Sequence, residues 1–205
     1  MKKILLAIMS LFIFACCANK HIETIDNLKA AANGETHASK SYAKYSEIAA
    51  QEGYINISRM FAATSEAEKH HAAKHIAELA KLGVNNYSPI IDEIVYGTTQ
   101  ENLVKAIEGE TYEFSTMYPT FIKKALEEKQ KGAETSFDWA MKAEKKHSDF
   151  YNNALKHLTD TTLGDSAFVY EWYVCPVCGD TYTNQSVPTD ACELCGAPIS
   201  IMLKF

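Results

Sequence analysis

Four cysteines near the C-terminal end stand as two Cys-x-x-Cys pairs, Cys175-Pro-Val-Cys178 and Cys192-Glu-Leu-Cys195, separated by 13 residues. Two knuckles at this spacing can set four thiolates at the corners of a tetrahedron. Gly179 and Gly196, directly after each pair, suit the tight turns that aim backbone N–H groups at sulfur. A disulfide framework is the competing reading of an even cysteine number, but the paired spacing favours a metal, and the ligand set alone does not choose iron over zinc. The remaining two cysteines, Cys16 and Cys17, are separated from these by 157 residues that contain none.

A second chemistry repeats in the long stretch between. Glu68-Lys-His-His71 and Glu144-Lys-Lys-His147 are both Glu-x-x-His. Residues three apart on a helix lie about 60° from one another, so each Glu and His point the same way and can serve one site. Glu35 stands 33 residues before Glu68, and Glu113 stands 31 before Glu144, with Glu110 one turn earlier. One such pair recurs by chance in any Glu-rich helix. Four pieces in two matching halves are the constellation of a di-iron carboxylate site, whose hard oxygens and few imidazoles suit iron or manganese.

Four helices must position these groups. Hydrophobic periodicity places them at about Thr24–Glu52 (ending at Gly53), Tyr54–Leu82 (ending at Gly83), Thr98–Lys131 and Glu134–Leu158. Thr98 and Glu101 have capping-box spacing, Pro119 should kink the third helix, and Gly132 should separate it from the fourth. The connection Val84–Gly97 carries turn residues and an apolar piece, Ile90–Tyr96, that reads as a short helix. Short links and one longer crossover describe a four-helix bundle. His70 and His75 are expected to face solvent or a partner helix, and His21, His37 and His157 have no evident ligand partner. Residues 159–167 form a polar linker, after which proline, cysteine and the aromatics Trp172, Tyr173, Tyr182 and Phe205 dominate.

The chain has 205 residues, 47% hydrophobic and 22% charged, enough for a full core without disulfides. Its net charge is −6 and every basic residue but Arg59 is lysine, which argues against nucleic acid as a partner. Residues 1–15 read as a targeting segment: Lys2-Lys3, then an apolar run from Ile4 to Ala15 that is too short to span a membrane. Ala15-Cys16 looks like a bacterial lipoprotein boundary, although Phe14 is bulkier than usual there. The expectation is an exported protein on the non-cytoplasmic side, in periplasm or at the cell surface, touching membrane only through a lipid on Cys16. A soluble periplasmic protein is the alternative.

On these pieces the sequence resembles the rubrerythrin family. The strings that carry the resemblance are Asn33-Gly-Glu35-Thr-His37-Ala38, Glu68-Lys-His-His71-Ala72, Gly109-Glu110-Thr-Tyr-Glu113-Phe-Ser-Thr-Met117-Tyr118-Pro119, Ala143-Glu144-Lys-Lys-His147, and the cysteine tail. The resemblance implies a mainly α fold: a ferritin-like four-helix bundle over residues 22–158, followed by a small β-rich rubredoxin-like metal-knuckle domain over 168–205. It implies two irons in the bundle and one in the four-cysteine site. Glu35, Glu68, Glu113, Glu144 and His147 match constant ligands, Glu110 and His71 match positions that exchange with oxidation state, and Tyr42 and Tyr118 match tyrosines behind the ligands. Glu193 stands where rubredoxins usually carry proline.

The function this implies is a non-haem di-iron peroxidase that reduces hydrogen peroxide to water, with the four-cysteine iron relaying electrons from an unidentified donor. Ferroxidase or iron-handling activity, and a non-enzymatic bundle with a structural zinc ribbon, are the alternatives. A single chain is expected to hold its two centres far apart, so a head-to-tail homodimer with electrons crossing between chains is expected too.

Overall fold

The computed structural model describes residues 22–160 and 164–205. The targeting segment, Cys16 and Cys17 lie outside the described residues. Helices α1 (Glu23–Gln51), α2 (Ile55–Lys81), α3 (Thr99–Tyr112), α4 (Tyr118–Glu127) and α5 (Lys131–Thr159) form the bundle, α3 and α4 making one rod through a π-helical turn at Glu113–Met117. No helix among the described residues is long and apolar enough to cross a membrane.

The helices approach closely because their facing stripes are rich in buried alanine, including Ala31, Ala63, Ala67, Ala140 and Ala143. Larger side chains gather in two clusters at different heights. One contains Tyr42, Tyr45, Phe61, Leu103 and Tyr151, and the other Leu28, Leu79, Tyr118 and Phe137. In each long helix the chemistry-bearing residues fall between members of these two clusters: Glu35 between Leu28 and Tyr42, Glu68 and His71 between Phe61 and Leu79. Fully burying one such Phe or Leu contributes roughly 1.5–3 kcal/mol, which offsets the cost of the polar layer between them.

Distant carboxylates satisfy helix N-termini that lack a local cap. Glu128 accepts from the backbone N–H groups of Glu23 at 3.1 Å and Thr24 at 2.9 Å. Asp165, near the end of the linker, accepts from those of Asn56 at 3.2 Å and Ile57 at 3.1 Å, pinning the approach to the tail to the start of α2. At α3 the capping box of Thr98 and Glu101 forms as its spacing requires.

Two local expectations need correction, and the irregularity expected near Pro119 takes the form of the π turn just before it. Ile90–Tyr96 is not helical; Ile90, Val95 and Tyr96 are exposed, and the connection is held instead by polar contacts with α1: Asn33 accepts from Tyr87 Oη and Ile90 N, both at 2.9 Å, and Tyr45 Oη donates to the Val95 carbonyl at 3.1 Å. The irregularity in the third rod precedes Pro119. Proline cannot donate and its ring crowds the preceding turn, and the ladder widens there, with Tyr118 N–H bonding Glu113 C=O. Gly132 does not separate helices; it sits in the first turn of α5, where a side chain would collide with the Glu78 carboxylate.

In the tail, β1 (Trp172–Val174) lies between β2 (Thr181–Thr183) and β3 (Leu203–Lys204) in an antiparallel sheet. Trp172 pairs with Thr183 and Val174 with Leu203. Trp172 is buried against the bundle, its ring 4.9 Å from that of Phe150 on α5. The expected separation of tail and bundle within one chain is therefore not what the chain adopts: Phe168, Trp172 and Val174 belong to the same apolar cluster as Tyr42 and Phe61. Burial of this aromatic group gives the tail a reason to fold back onto its own bundle.

Candidate metal centres

Two donor sets occupy the polar layer. Glu35 from α1, Glu68 and His71 from α2 and Glu144 from α5 have ligand atoms all within 4.8 Å of one another. Glu68, Glu110 from α3, Glu144 and His147 from α5 form a second set by the same measure. Glu68 and Glu144 belong to both, so two positions lie side by side with two carboxylates between them. All six side chains are buried.

The geometry fits cations better than protons. His147 Nδ1 lies 2.9 Å from Glu144 and 3.0 Å from Glu68, and His71 Nδ1 lies 2.8 Å from Glu68 and 3.0 Å from Glu144. Yet Glu35 Oε2, Glu68 Oε1, Glu110 Oε2, both Glu144 oxygens and His147 Nδ1 are buried without a hydrogen-bond partner. Buried polar atoms in a folded protein are nearly always paired, and a cluster of orphaned donor atoms aimed at common points is what a pair of metal ions would satisfy. The charges agree. Burial, then the charges of Glu68 and Glu144, lift Glu110 well above the carboxylate range. Burial lowers the basicity of His147, but Glu68 and Glu144 outweigh it and raise the imidazole to about 9.

Glu113 joins neither set. It is half-buried at the start of the π turn, and burial followed by the charges of Glu35 and Glu144 pushes its carboxyl well up. The placement of Glu110 and Glu113 thus differs from the expectation. Glu110 stands with His147, not His71, and Glu113 lies beside Gly34 next to Glu35 and feels the charges of Glu35 and His71.

Tyr42 Oη donates to Glu110 Oε1 at 2.6 Å, and Tyr118 Oη donates to Glu35 Oε1. Burial and the neighbouring carboxylates push both phenols well above their usual range, so both keep their protons at neutral pH. A cavity of about 390 Å³ opens beside this layer, lined by Gly34, His37, Tyr42, Glu93, Gly109 and Glu113 among others. His37 therefore sits on a cavity wall.

Of the two faces expected for His75, solvent or a partner helix, it takes the second and is fully buried against α4 and α5. Its Nδ1 lies 2.8 Å from Ser136 Oγ and its Nε2 lies 3.2 Å from Tyr118 Oη, which extends the chain from Glu35 outward. The spacing of four from His71 was a legible signal that the two share a face. His70 stays half-buried beside Glu66.

In the tail, Cys175, Cys178, Cys192 and Cys195 bring their sulfurs within 4.8 Å of one another, and all are free thiols. The Cys175–Cys195 and Cys178–Cys192 sulfurs are 3.5 and 3.6 Å apart. That is close to the roughly 3.8 Å edge of a tetrahedron with metal–sulfur bonds of about 2.3 Å. Glu193 leaves this cluster intact. Sequence reasoning missed Thr181 and read Gly179 only as a turn residue; both follow Cys178 and meet the outer edges of the two histidine rings, with Thr181 Oγ1 2.9 Å from His147 Nε2 and Gly179 packed against His71.

A family model described as Rubrerythrin matches residues 26–155. Rubrerythrin-2 of Clostridium acetobutylicum is 33% identical over 182 residues, covering 86% of this chain and 94% of that protein. Nigerythrin of Nitratidesulfovibrio vulgaris is 33% identical over 175 residues, covering 85% and 83%. The solved structure of mixed-valence nigerythrin superposes with a TM-score of 0.76, at 31% identity, over 89% of this chain and 86% of that one.

Proposed function

The chain belongs to the rubrerythrin family, with a carboxylate–histidine di-iron site and a four-cysteine iron site, and from that premise we propose that it is a peroxidase reducing hydrogen peroxide to water. The observation that carries this reading is the seating of the four-cysteine module directly on both histidines of the bundle site. A bundle that only stores iron has no use for a redox centre there. When bound, an iron pair supplies two electrons to the O–O bond, and iron on four thiolates supplies single electrons to restore the pair.

The side chains divide the remaining work. Glu68 and Glu144 hold the two positions together, Glu35 and His71 complete one, and Glu110 and His147 complete the other. The exchange of ligands that the family resemblance implies then pairs His71 with Glu113, the half-buried carboxylate on its side. The cavity beside Gly34, Gly109 and Glu113 admits a small ligand, while the aromatic clusters on either side keep bulk water out. Tyr42, protonated and bonded to Glu110, is placed at the cavity wall to supply a proton to a departing oxygen.

The reading includes a homodimer, but as an assembly and not as the electron path, because the tail already sits on its own bundle. It also includes export and a lipid on Cys16; mass spectrometry of the protein from its host would show a chain beginning at acylated Cys16, and an intact Met1 on soluble cytosolic protein would refute that.

Anaerobic mixing of the reduced, iron-loaded protein with hydrogen peroxide tests the activity. One peroxide consumed per two electrons, with oxidation of both centres, is expected. Ferrous iron that reacts with dioxygen and accumulates while peroxide goes unreduced would replace this reading with iron handling. A colourless protein with stoichiometric zinc in the tail would remove the relay.

A further inference from the structure

Two consecutive tail residues grip two consecutive residues of α5. Asp180, buried, places Oδ1 2.5 Å from Lys146 Nζ, and Lys146 also lies 4.2 Å above the ring of Tyr182. Thr181, fully buried, places Oγ1 2.9 Å from His147 Nε2 and 3.2 Å from the carbonyl oxygen of Gly179. A hydroxyl carries one proton. Donated to the Gly179 carbonyl, that proton leaves Oγ1 able only to accept, so His147 keeps its proton on Nε2, and Nδ1 is the nitrogen that gives up its proton to a cation. Nδ1 is the nitrogen that faces Glu68 and Glu144.

The other histidine is held differently. His71 also turns Nδ1 inward, but its Nε2 is buried with no hydrogen-bond partner, against a glycine. One ring is fixed from behind and the other is not.

We propose that Thr181 is a positioning residue for His147: its hydroxyl locks the imidazole with Nδ1 toward the Glu68–Glu110–Glu144 position, so that full metal affinity there requires the docked tail. The inference rests on the di-iron reading above. By linkage, metal in that position tightens tail docking by the same factor. The asymmetry between the histidines assigns the fixed position to His147 and leaves His71 free to move.

Anaerobic iron(II) titration of the full chain, with its four-cysteine site already loaded, tests this in wild type, Thr181→Val and Thr181→Ser. Valine keeps the shape and removes the acceptor. It should weaken one of the two bundle irons by roughly 10–100-fold, as loss of a hydrogen-bond partner behind a ligating histidine does. The other iron, the visible spectrum of the four-cysteine site and the helix content should not change, and the midpoint potential of the bundle pair should shift. Serine should restore both affinity and potential. Wild-type affinity in Thr181→Val would overturn the inference, and so would a serine variant as weak as the valine one. A wild-type bundle that takes up no iron pair would instead refute the proposed function, and this inference with it.

Discussion

Gly179 sets its bare Cα against the outer edge of the His71 ring, and a methyl group at that position would overlap Nε2 and Cδ2 of the imidazole. The residue also has φ +79°, a conformation that L side chains enter at a cost of about 1–2 kcal/mol. Both the turn after Cys178 and the close approach of tail to bundle therefore ask for glycine. Gly179→Ala should leave the four-cysteine centre able to bind metal but loosen the tail, seen as faster proteolysis in residues 160–170. It should also slow electron transfer into the bundle pair. Equal protease resistance and equal transfer rate would show that the approach is not as close as described.

Glu68 and Glu144 serve both donor sets, whereas Glu35 and Glu110 each serve one. Glu68→Gln and Glu144→Gln should therefore each disturb both irons, while Glu35→Gln should spare the position beside His147 and Glu110→Gln the position beside His71. Metal analysis after gel filtration separates these outcomes. Full loading of two bundle irons in either Glu68→Gln or Glu144→Gln would refute the assignment.

Protons and metal compete for the same atoms. Without metal, His147 is raised to about 9 and His71 well above its usual range, while Glu110 and Glu113 are raised too. Each must lose its proton to bind a cation. Iron(II) affinity should therefore climb between pH 6 and 9, by up to about tenfold per pH unit for each proton released. Stability of the metal-free protein should run the other way. A raised histidine contributes stability that is complete below the unfolded value near 6.5 and lost as pH passes 9. Raised carboxyls act in the same direction, since their ionisation at higher pH charges a buried, crowded site. Thermal denaturation of metal-free protein across this range checks the sign; a Tm that rises with pH would contradict it.

Glu110→Gln should stabilise the metal-free form. It removes one buried carboxylate from a crowd of them while keeping a hydrogen-bond acceptor for Tyr42. A gain of about 1 kcal/mol would raise Tm by roughly 2–4 °C in a domain of this size. The same variant should bind iron less well, so stability and function move in opposite directions. An unchanged Tm without metal would show that Glu110 is buried at no cost, and a lower one that it contributes stability; either would contradict this.

Much of the site was legible because its geometry is local. Glu68 with His71 and Glu144 with His147 share a helix face by spacing alone, and Thr98 with Glu101 caps its helix by the same arithmetic. The four-cysteine cluster follows from two short motifs. What spacing could not reveal depends on contacts far apart in the chain. Thr181 meets His147 across 34 residues, and Asp165 reaches Asn56 across 109. Glu110 and Glu113, three apart, look equivalent on an ideal helix; only the π turn and the packing against α1 distinguish them. Ile90–Tyr96 misled for the opposite reason, since its apolar residues suggested a helix where the segment runs irregularly along α1, held by Asn33 and Tyr45.

The tail's position makes a last prediction about the electron path. Phe168, Trp172 and Val174 enter the bundle's own apolar cluster, Asp165 caps α2 of the same chain, and Gly179 and Thr181 reach the two histidines of that chain. Relay within one chain then requires no second copy. Two inactive variants test this: Cys178→Ser, which lacks the tail centre, and Glu68→Ala/Glu144→Ala, which lacks the bundle site. Mixed dimers carrying one of each, isolated with two different affinity tags, should stay inactive as peroxidases, because each chain's intact centre faces a damaged one. Recovery of about half the wild-type activity per dimer, which is full activity per intact bundle, would place one chain's tail on its partner's bundle. The seat formed by His71 and His147 would then be filled by exchange, with the linker crossing between protomers and not folding back.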